Sequence, residues 1–388
     1  MISGSREFAI VATTLYGLEP ALAKELEELG MKDVEVLTRA VRFKGKLKEL
    51  YLANLWLRTA IKVLIPIAEF SAKNEQELYE KAKMVDWGAY LSVNDTFAID
   101  GTTSGTIFTH SKYVALKVKD ALADQFRARF NQRPSVDVEQ PTLRINIRIA
   151  QDACTLSIDS SGTTLNKRGY RLSSVSAPLN ECLAAGLIYL SDWDKKSQFI
   201  DPMTGSGTLA IEAAMMASNT APGLHRSFNF QHWNTFDAEL WKKLVQQAVE
   251  AKTETAKILA MDRDLSALRA ARENAERAGM KSNIRFELAD FTNDEANYDH
   301  AHLILNPPYG ERLNKSDDMA PFYKAIGTQL KHRFPGSKAW VLSSNIAGLK
   351  SIGLRPYKKH QLYNGALECK FHGFDLYKGS KKRKFKEG

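Results

Sequence analysis

A strand, a glycine turn and a helix follow one another between Phe199 and Ala217, and that succession leaves few folds open. Phe199-Ile-Asp is short and apolar, Pro-Met-Thr-Gly-Ser-Gly interrupts it, and Thr208–Ala217 runs on without glycine or proline. The alternation then repeats. Ile258-Leu-Ala-Met-Asp precedes a helical stretch over Leu265–Ala278 closed by Gly279, and Ile284–Leu288, Leu303-Ile-Leu and Ala339–Ser343 supply further compact apolar strands. Short apolar strands alternating with helices predict an α/β domain with a doubly wound, mostly parallel sheet.

The first 165 residues read differently. Strands are expected at Phe8-Ala-Ile-Val-Ala, Val34–Leu37, Ala40–Phe43, Ile61–Ile67 and Thr96–Asp100. Helical spacing covers Leu18–Leu29, Leu47–Leu57, Glu75–Lys83 and Ser111–Phe130, while Leu143–Ile149 and Cys154–Ser160 alternate as a hairpin does. This is an α+β region, joined to the rest through the polar, basic stretch Thr163–Tyr170. The expected organisation is therefore 1–165, 166–376 and a basic tail, 377–388.

Charge separates the same parts. The chain holds 54 Lys and Arg against 45 Asp and Glu, a net charge of +9, and residues 1–165 hold 21 of each sign. The excess belongs to the second part and peaks at the end, where Lys378, Lys381, Lys382, Arg383, Lys384 and Lys386 face Glu387. Such a run suits a phosphate backbone, because each neutralised phosphate releases counterions; as a solvated tail it would aid solubility. Three scattered cysteines exclude a disulfide framework or a paired-cysteine metal site. No apolar run reaches the roughly 18 residues of a membrane span. Phe8–Leu18 is broken by Thr13, Thr14 and Tyr16, unlike a secretory signal. A reduced, cytoplasmic protein with a polyanionic partner is expected.

Four sites carry candidate chemistry. In Asp201-Pro-Met-Thr-Gly-Ser-Gly-Thr, Gly205 and Gly207 allow close approach of a ligand to backbone, and a helix amino end follows. The spacing lacks the third glycine of a dinucleotide fingerprint and the Gly-Lys-Ser/Thr of a phosphate-binding loop. Asp262 ends the second strand, where a carboxylate can accept from both hydroxyls of a ribose or cap the helix from Leu265. It lies 61 residues after Asp201, which implies an inserted segment, about 219–257, containing Trp233 and Trp241. Asp290-Phe291 offers an acceptor for an adenine amine and a ring to stack on it. Most specific is Asn306-Pro307-Pro308-Tyr309. Two prolines stiffen the turn and remove two N–H donors. The Asn306 side-chain oxygen and the Pro307 carbonyl can then accept both hydrogens of one exocyclic amine, with Tyr309 as a stacking face. Such an amine is a weak nucleophile whose lone pair is delocalised, so positioning and electrostatics must carry its alkylation. His300 and His302 alternate beside this turn and are expected to serve packing.

Asp201-Pro-Met-Thr-Gly-Ser-Gly-Thr, Met261-Asp262-Arg-Asp, Ala289-Asp290-Phe291 and Asn306-Pro-Pro-Tyr-Gly-Glu-Arg resemble the ordered motifs of class I S-adenosylmethionine-dependent methyltransferases acting on exocyclic amines. Lys167-Arg168-Gly169-Tyr170-Arg171, Ala177-Pro178-Leu179 and Thr208-Leu-Ala-Ile-Glu-Ala-Ala are similar to bacterial THUMP-domain RNA methyltransferases, in particular those forming guanine-N2 methylation in 23S rRNA. The resemblance implies a Rossmann-like class I methyltransferase domain preceded by a ferredoxin-like and THUMP RNA-binding region. It implies a cofactor site at Asp201, Met203, Thr204, Gly205, Gly207, Thr208, Asp262, Arg263, Asp290, Phe291 and Asn306. Asn306, Pro307, Pro308 and Tyr309 would hold the target base extruded from its stack. Arg168, Tyr170, Arg171, Lys381, Lys382, Arg383 and Lys384 would meet RNA. No metal is implied. Relatives often carry a cysteine where Met203-Thr204 stands.

The expected activity is methyl transfer from S-adenosylmethionine to guanine N2 in structured RNA, 23S rRNA or a ribosomal precursor. The same reaction on tRNA, adenine-N6 methylation of RNA or DNA, and a non-catalytic RNA-binding assembly factor are the other readings. Cytosine-C5 chemistry needs a thiolate, and no cysteine lies in the Asn306–Tyr309 turn.

Overall fold

A computed structural model of the chain describes residues 6–171, 179–253, 256–308 and 319–377. Tyr309 and the tail residues Lys381, Lys382, Arg383 and Lys384 lie outside the described residues. The chain divides into two compact units. The first draws on residues up to Thr14, on Leu22–Leu165 and on Gly223–Gln246; the second on Leu15–Ala21, Asn166–Pro222 and residues from Gln247 onward.

The first unit contains β1 (Phe8–Thr14), most of α1 (Glu19–Glu28), β2 (Lys32–Leu37), β3 (Ala40–Gly45), α2 (Leu47–Trp56), β4 (Ala60–Ser71), α3 (Glu75–Lys83), β5 (Thr96–Ser104), α4 (Ser111–Phe130), β6 (Ser135–Val136), β7 (Leu143–Ala150) and β8 (Ala153–Asp159). The strands form one sheet in the order β2-β3-β1-β4-β8-β7-β5-β6. In β7 buried Leu143, Ile145, Ile147 and Ile149 alternate with more exposed Arg144, Asn146 and Arg148, the period-two pattern of a sheet with one core face. Helix α4 keeps both its expected ends and stops on Asn131 in the left-handed conformation, a regular helix terminator.

The inserted segment accounts for the long gap before Asp262. Its residues 223–246 complete the core of the first unit. Phe230 stacks on Tyr51 at 4.4 Å and meets Trp241 edge-on at 5.2 Å, and the Tyr51 hydroxyl accepts from the Asp237 amide at 3.0 Å. The Arg144 amide donates to Asn229 Oδ1 at 3.0 Å, and Asn229 Nδ2 donates to the Pro141 carbonyl at 2.8 Å.

The remaining elements are α5 (Glu181–Leu190), β9 (Phe199–Asp201), α6 (Thr208–Ala217), α7 (Ala238–Glu250), β10 (Ile258–Asp262), α8 (Leu265–Arg277), β11 (Ile284–Leu288), β12 (His302–Leu305), α9 (Ala320–Arg333), β13 (Lys338–Ser343), α10 (Ile346–Ser351), β14 (Lys358–Asn364) and β15 (Leu367–Asp375). The second sheet runs β11-β10-β9-β12-β13-β15-β14; the first five strands are parallel, and β15 runs antiparallel to both β13 and β14. Both faces are buried. Ile258 and Ala260 of β10 join one core with α5, α6 and α8, while Leu259 and Met261 join another with α9 and α10. The doubly wound architecture expected from the alternation is present, extended by the β14–β15 hairpin.

Because Phe230 is fully buried at the centre of the aromatic cluster, Phe230→Ala is expected to cost about 3–5 kcal/mol. A lower midpoint in urea unfolding would register the loss; an unchanged midpoint would show that the inserted segment adds no stability.

Candidate active site at the carboxyl edge of the second sheet

Strand order reverses between β9 and β12, the place where doubly wound sheets open a crevice at their carboxyl ends. Asp201 ends β9, Asp262 ends β10, Asp290 follows β11 and Asn306 follows β12. Pairing puts Ala260 opposite Asp201 and Leu303 opposite Ile200, so β10 and β12 each extend past the end of β9. The glycine turn fills the step. The Thr204 amide donates to the Met261 carbonyl and the Gly205 amide to Asp262 Oδ2, both at 2.8 Å.

Two glycines make this turn possible. Gly207 has φ +85°, and a Cβ there would lie 3.0 Å from that of Ala271, so it lets α6 pack closely on α8. Gly205 has φ +53°, and its missing side chain would meet nothing within 4 Å, leaving the turn open on that side. Helix α6 starts on Gly207 without a side-chain cap.

Asp201 is fully buried. The Thr204 hydroxyl donates to its Oδ2 at 2.7 Å, while Oδ1 has no hydrogen-bond partner among the described residues. Burial lifts its titration to about 7; the Thr204 bond opposes the rise, and nearby Asp262 adds to it. Asp262 is half-buried and also accepts the Asp264 amide, at 3.0 Å. The cap of α8 is Asp264, which accepts from the Ser266 amide at 2.8 Å, so Asp262 is released from that role. For Asp290, burial raises the titration, but donors on Thr292 and Asn293 and the charge of Arg263 outweigh it and hold the carboxyl low.

Phe291 is buried against Phe334, at 5.7 Å, and belongs to the core. The apolar surface near Asp262 comes instead from Leu288, its partner across the sheet and 59% exposed, and Leu265, 44% exposed. Sequence reasoning passed over both, although a leucine just beyond a strand-ending aspartate is a readable sign. Met203 packs on the α9 side of the sheet. Asn306 and Pro308 are half-buried and Pro307 is buried. His302 stands at the opposite end of β12 with Nε2 2.8 Å from the Ser191 hydroxyl, and burial lowers its titration to about 4.

The basic segment before the sheet is internal in part. Arg168 and Tyr170 are buried, and both donate to Glu212 of α6, at 3.4 and 3.2 Å. Arg171 donates to Glu181, the Leu179 carbonyl and the Thr208 hydroxyl, which ties the segment to the first residue after the glycine turn. Neither Glu212 nor Glu181 was recognisable without these partners.

A family model for the RMKL-like methyltransferase domain matches residues 168–372, more than half of the chain. The chain belongs to the RMKL-like methyltransferase family. Residues 72–159 match the THUMP domain and residues 9–64 the RlmL ferredoxin-like domain. The RMKL-like chain is 41% identical over 378 residues to the ribosomal RNA large subunit methyltransferase K/L of Syntrophotalea carbinolica, covering 94% of this chain and 53% of that protein. It thus spans about half the length of that relative. It is 40% identical over 369 residues to a putative RNA methyltransferase of Synechocystis, covering 94% of this chain and 96% of that one. Among solved structures, SMU.472, a putative methyltransferase complexed with SAH, aligns with TM-score 0.87 and 29% identity over 97% of this chain and 100% of its own.

The family uses S-adenosylmethionine, and the residues at this edge suit such a molecule. They offer an open turn, a buried acid oxygen without partner and exposed leucines beside a second acid. Among the described residues, no three His, Cys, Asp or Glu side chains gather as a metal site, and no helix is long and apolar enough to cross a membrane.

The raised Asp201 titration makes a stability prediction. Its carboxyl binds a proton more tightly folded than unfolded, so its ionisation drains stability as pH rises from about 4 to about 7. Asp201→Asn should melt above wild type at pH 8, with the difference shrinking towards pH 4. A pH-independent difference would show that Asp201 is not held protonated by burial.

Proposed function

We propose that this chain transfers a methyl group from S-adenosylmethionine to the exocyclic N2 amine of a guanine in RNA, with 23S rRNA as the target. The carrying observation is that Asp201, Asp262, Asp290 and Asn306 stand at the carboxyl ends of four neighbouring strands, β9, β10, β11 and β12, beside the strand-order reversal. The names of the RNA methyltransferase relatives and the match to a THUMP domain support an RNA substrate. The basic tail supports a phosphate backbone as partner.

When bound, S-adenosylmethionine supplies an electrophilic methyl group on a sulfonium. Asp262 would hold the ribose hydroxyls, the Leu265 and Leu288 surfaces would cover the adenine faces, and Asp290 would accept from the adenine amine. Thr204, Gly205 and Gly207 would shape the backbone around the methionine end, where Asp201 would face the ammonium group. At the other side of the turn, the Asn306 side-chain oxygen and the Pro307 carbonyl accept the two hydrogens of the target amine. Holding those hydrogens would draw the nitrogen lone pair out of conjugation with the ring and orient it for attack, and Tyr309 would stack on the flipped base. After transfer the nitrogen is acidic enough to lose its proton to water, so no strong general base is required.

Removing the Asn306 acceptor should slow transfer by about 10²–10³-fold, more than any loss of cofactor affinity in that variant accounts for. Methylation of 23S rRNA by Asn306→Ala with labelled cofactor measures the rate; wild-type activity in that variant would remove Asn306 from the mechanism. Asp262→Ala should weaken S-adenosylmethionine by about 1–3 kcal/mol through its lost hydrogen bonds. Calorimetry giving the wild-type affinity would take Asp262 out of the cofactor site.

A further inference from the structure

Arg171 is held on two of its three edges. Its Nε donates to Glu181 Oε1 at 3.0 Å, and Nη2 donates to the Leu179 carbonyl at 2.9 Å and to the Thr208 hydroxyl at 3.1 Å. Nη1 is buried and has no hydrogen-bond partner among the described residues. A guanidinium stays charged and presents its donors in a rigid planar fork. A buried donor edge left empty costs free energy that an acceptor on a ligand would recover.

Two features of the same turn indicate what that acceptor belongs to. Thr208 is the first residue of α6, and that helix starts without a side-chain cap, so its amino end favours negative charge. At the other end of the turn Thr204 bonds Asp201, a fully buried acid with one oxygen unpartnered. A fixed guanidinium and a buried carboxyl, bonded to opposite ends of the Thr204–Thr208 turn, together match an α-amino acid zwitterion.

We propose that Arg171 binds the α-carboxylate of the cofactor's methionine moiety, an assignment that rests on the cofactor reading above. Glu181 and the Leu179 carbonyl orient the fork, and Thr208 fixes it to the glycine turn, so the carboxylate-binding edge is positioned together with the cofactor loop. The consequence is a chemical preference: recognition by Arg171 extends to ligands that keep the amino-acid group and is blind to those that lack it.

Calorimetric titration of the full chain and of Arg171→Lys and Arg171→Gln tests this with two ligands. S-adenosylhomocysteine carries the carboxylate; 5′-methylthioadenosine has the adenosine and thioether without it. Both variants should lose about 10- to 100-fold in affinity for S-adenosylhomocysteine, with 5′-methylthioadenosine binding unchanged. Equal losses for the two ligands would overturn the assignment by showing that Arg171 merely props the turn, and unchanged S-adenosylhomocysteine affinity would overturn it outright. The α-methyl ester of S-adenosylhomocysteine, offered to wild type, keeps the test independent of variant folding. It should bind as weakly as S-adenosylhomocysteine binds Arg171→Lys, and an ester as tight as the free acid contradicts the proposal. Wild-type protein that binds none of these ligands would overturn the cofactor reading itself.

Discussion

The reversal of strand order between β9 and β12 is the constraint on which the rest of the second unit depends. From β9 the chain winds outward through β10 and β11 on one side and β12 and β13 on the other. The two loops that leave the central strands must therefore part, and the residues at their roots face a common gap. Asp201 and Asn306 are 105 positions apart in the chain, yet they follow adjacent parallel strands. This topology brings two turns that are distant in the chain to the same edge of the sheet.

Within that frame a few hydrogen bonds set the detail. The Gly205 amide on Asp262 and the Thr204 amide on the Met261 carbonyl tie the glycine turn to the neighbouring strand, and the Thr204 hydroxyl ties it to Asp201 of its own. The turn is thus held open over the sheet edge. Burying Asp201 beneath it is unfavourable for a charge, as its raised titration records, and Thr204 offsets part of that cost. Such an expense at a strand end is characteristic of a site shaped for a ligand rather than of a fold optimised for stability. One turn along α6 from Thr208, Glu212 gathers Arg168 and Tyr170, so the segment leading into Arg171 is anchored to the same helix that carries the turn.

Much of this was legible in the sequence because local chemistry announced it. Periodicity marked α4 to both its ends, and the order of the glycine turn, two acids and Asn-Pro-Pro signalled the sheet edge. Other parts were hidden for physical reasons. Helix α5 is buried almost all round, so it shows no polar face for a helical period to reveal. The β14–β15 hairpin turns on Gly365-Ala366, with Gly365 at φ +64° and Asn364 still paired opposite Leu367, so the Asn-Gly in the sequence is not the turn pair itself. Arg168 and Tyr170 looked like surface contacts for RNA, whereas their acid partner lies more than forty residues away and pulls both inside. A residue's charge is visible in a sequence, but the partner that buries it is a property of the fold. The same holds for Phe291, whose ring reads as a stacking face and packs instead on Phe334.

The central claim is that the edge of the second sheet methylates the N2 amine of a guanine in ribosomal RNA. Nucleoside mass spectrometry of 23S rRNA from cells with and without the gene measures this most directly. Absence of N2-methylguanosine at one site when the gene is missing, restored by the intact gene, is the outcome the account requires. Unchanged N2-methylguanosine in 23S rRNA, with N6-methyladenosine or a tRNA nucleoside lost in its place, would contradict it.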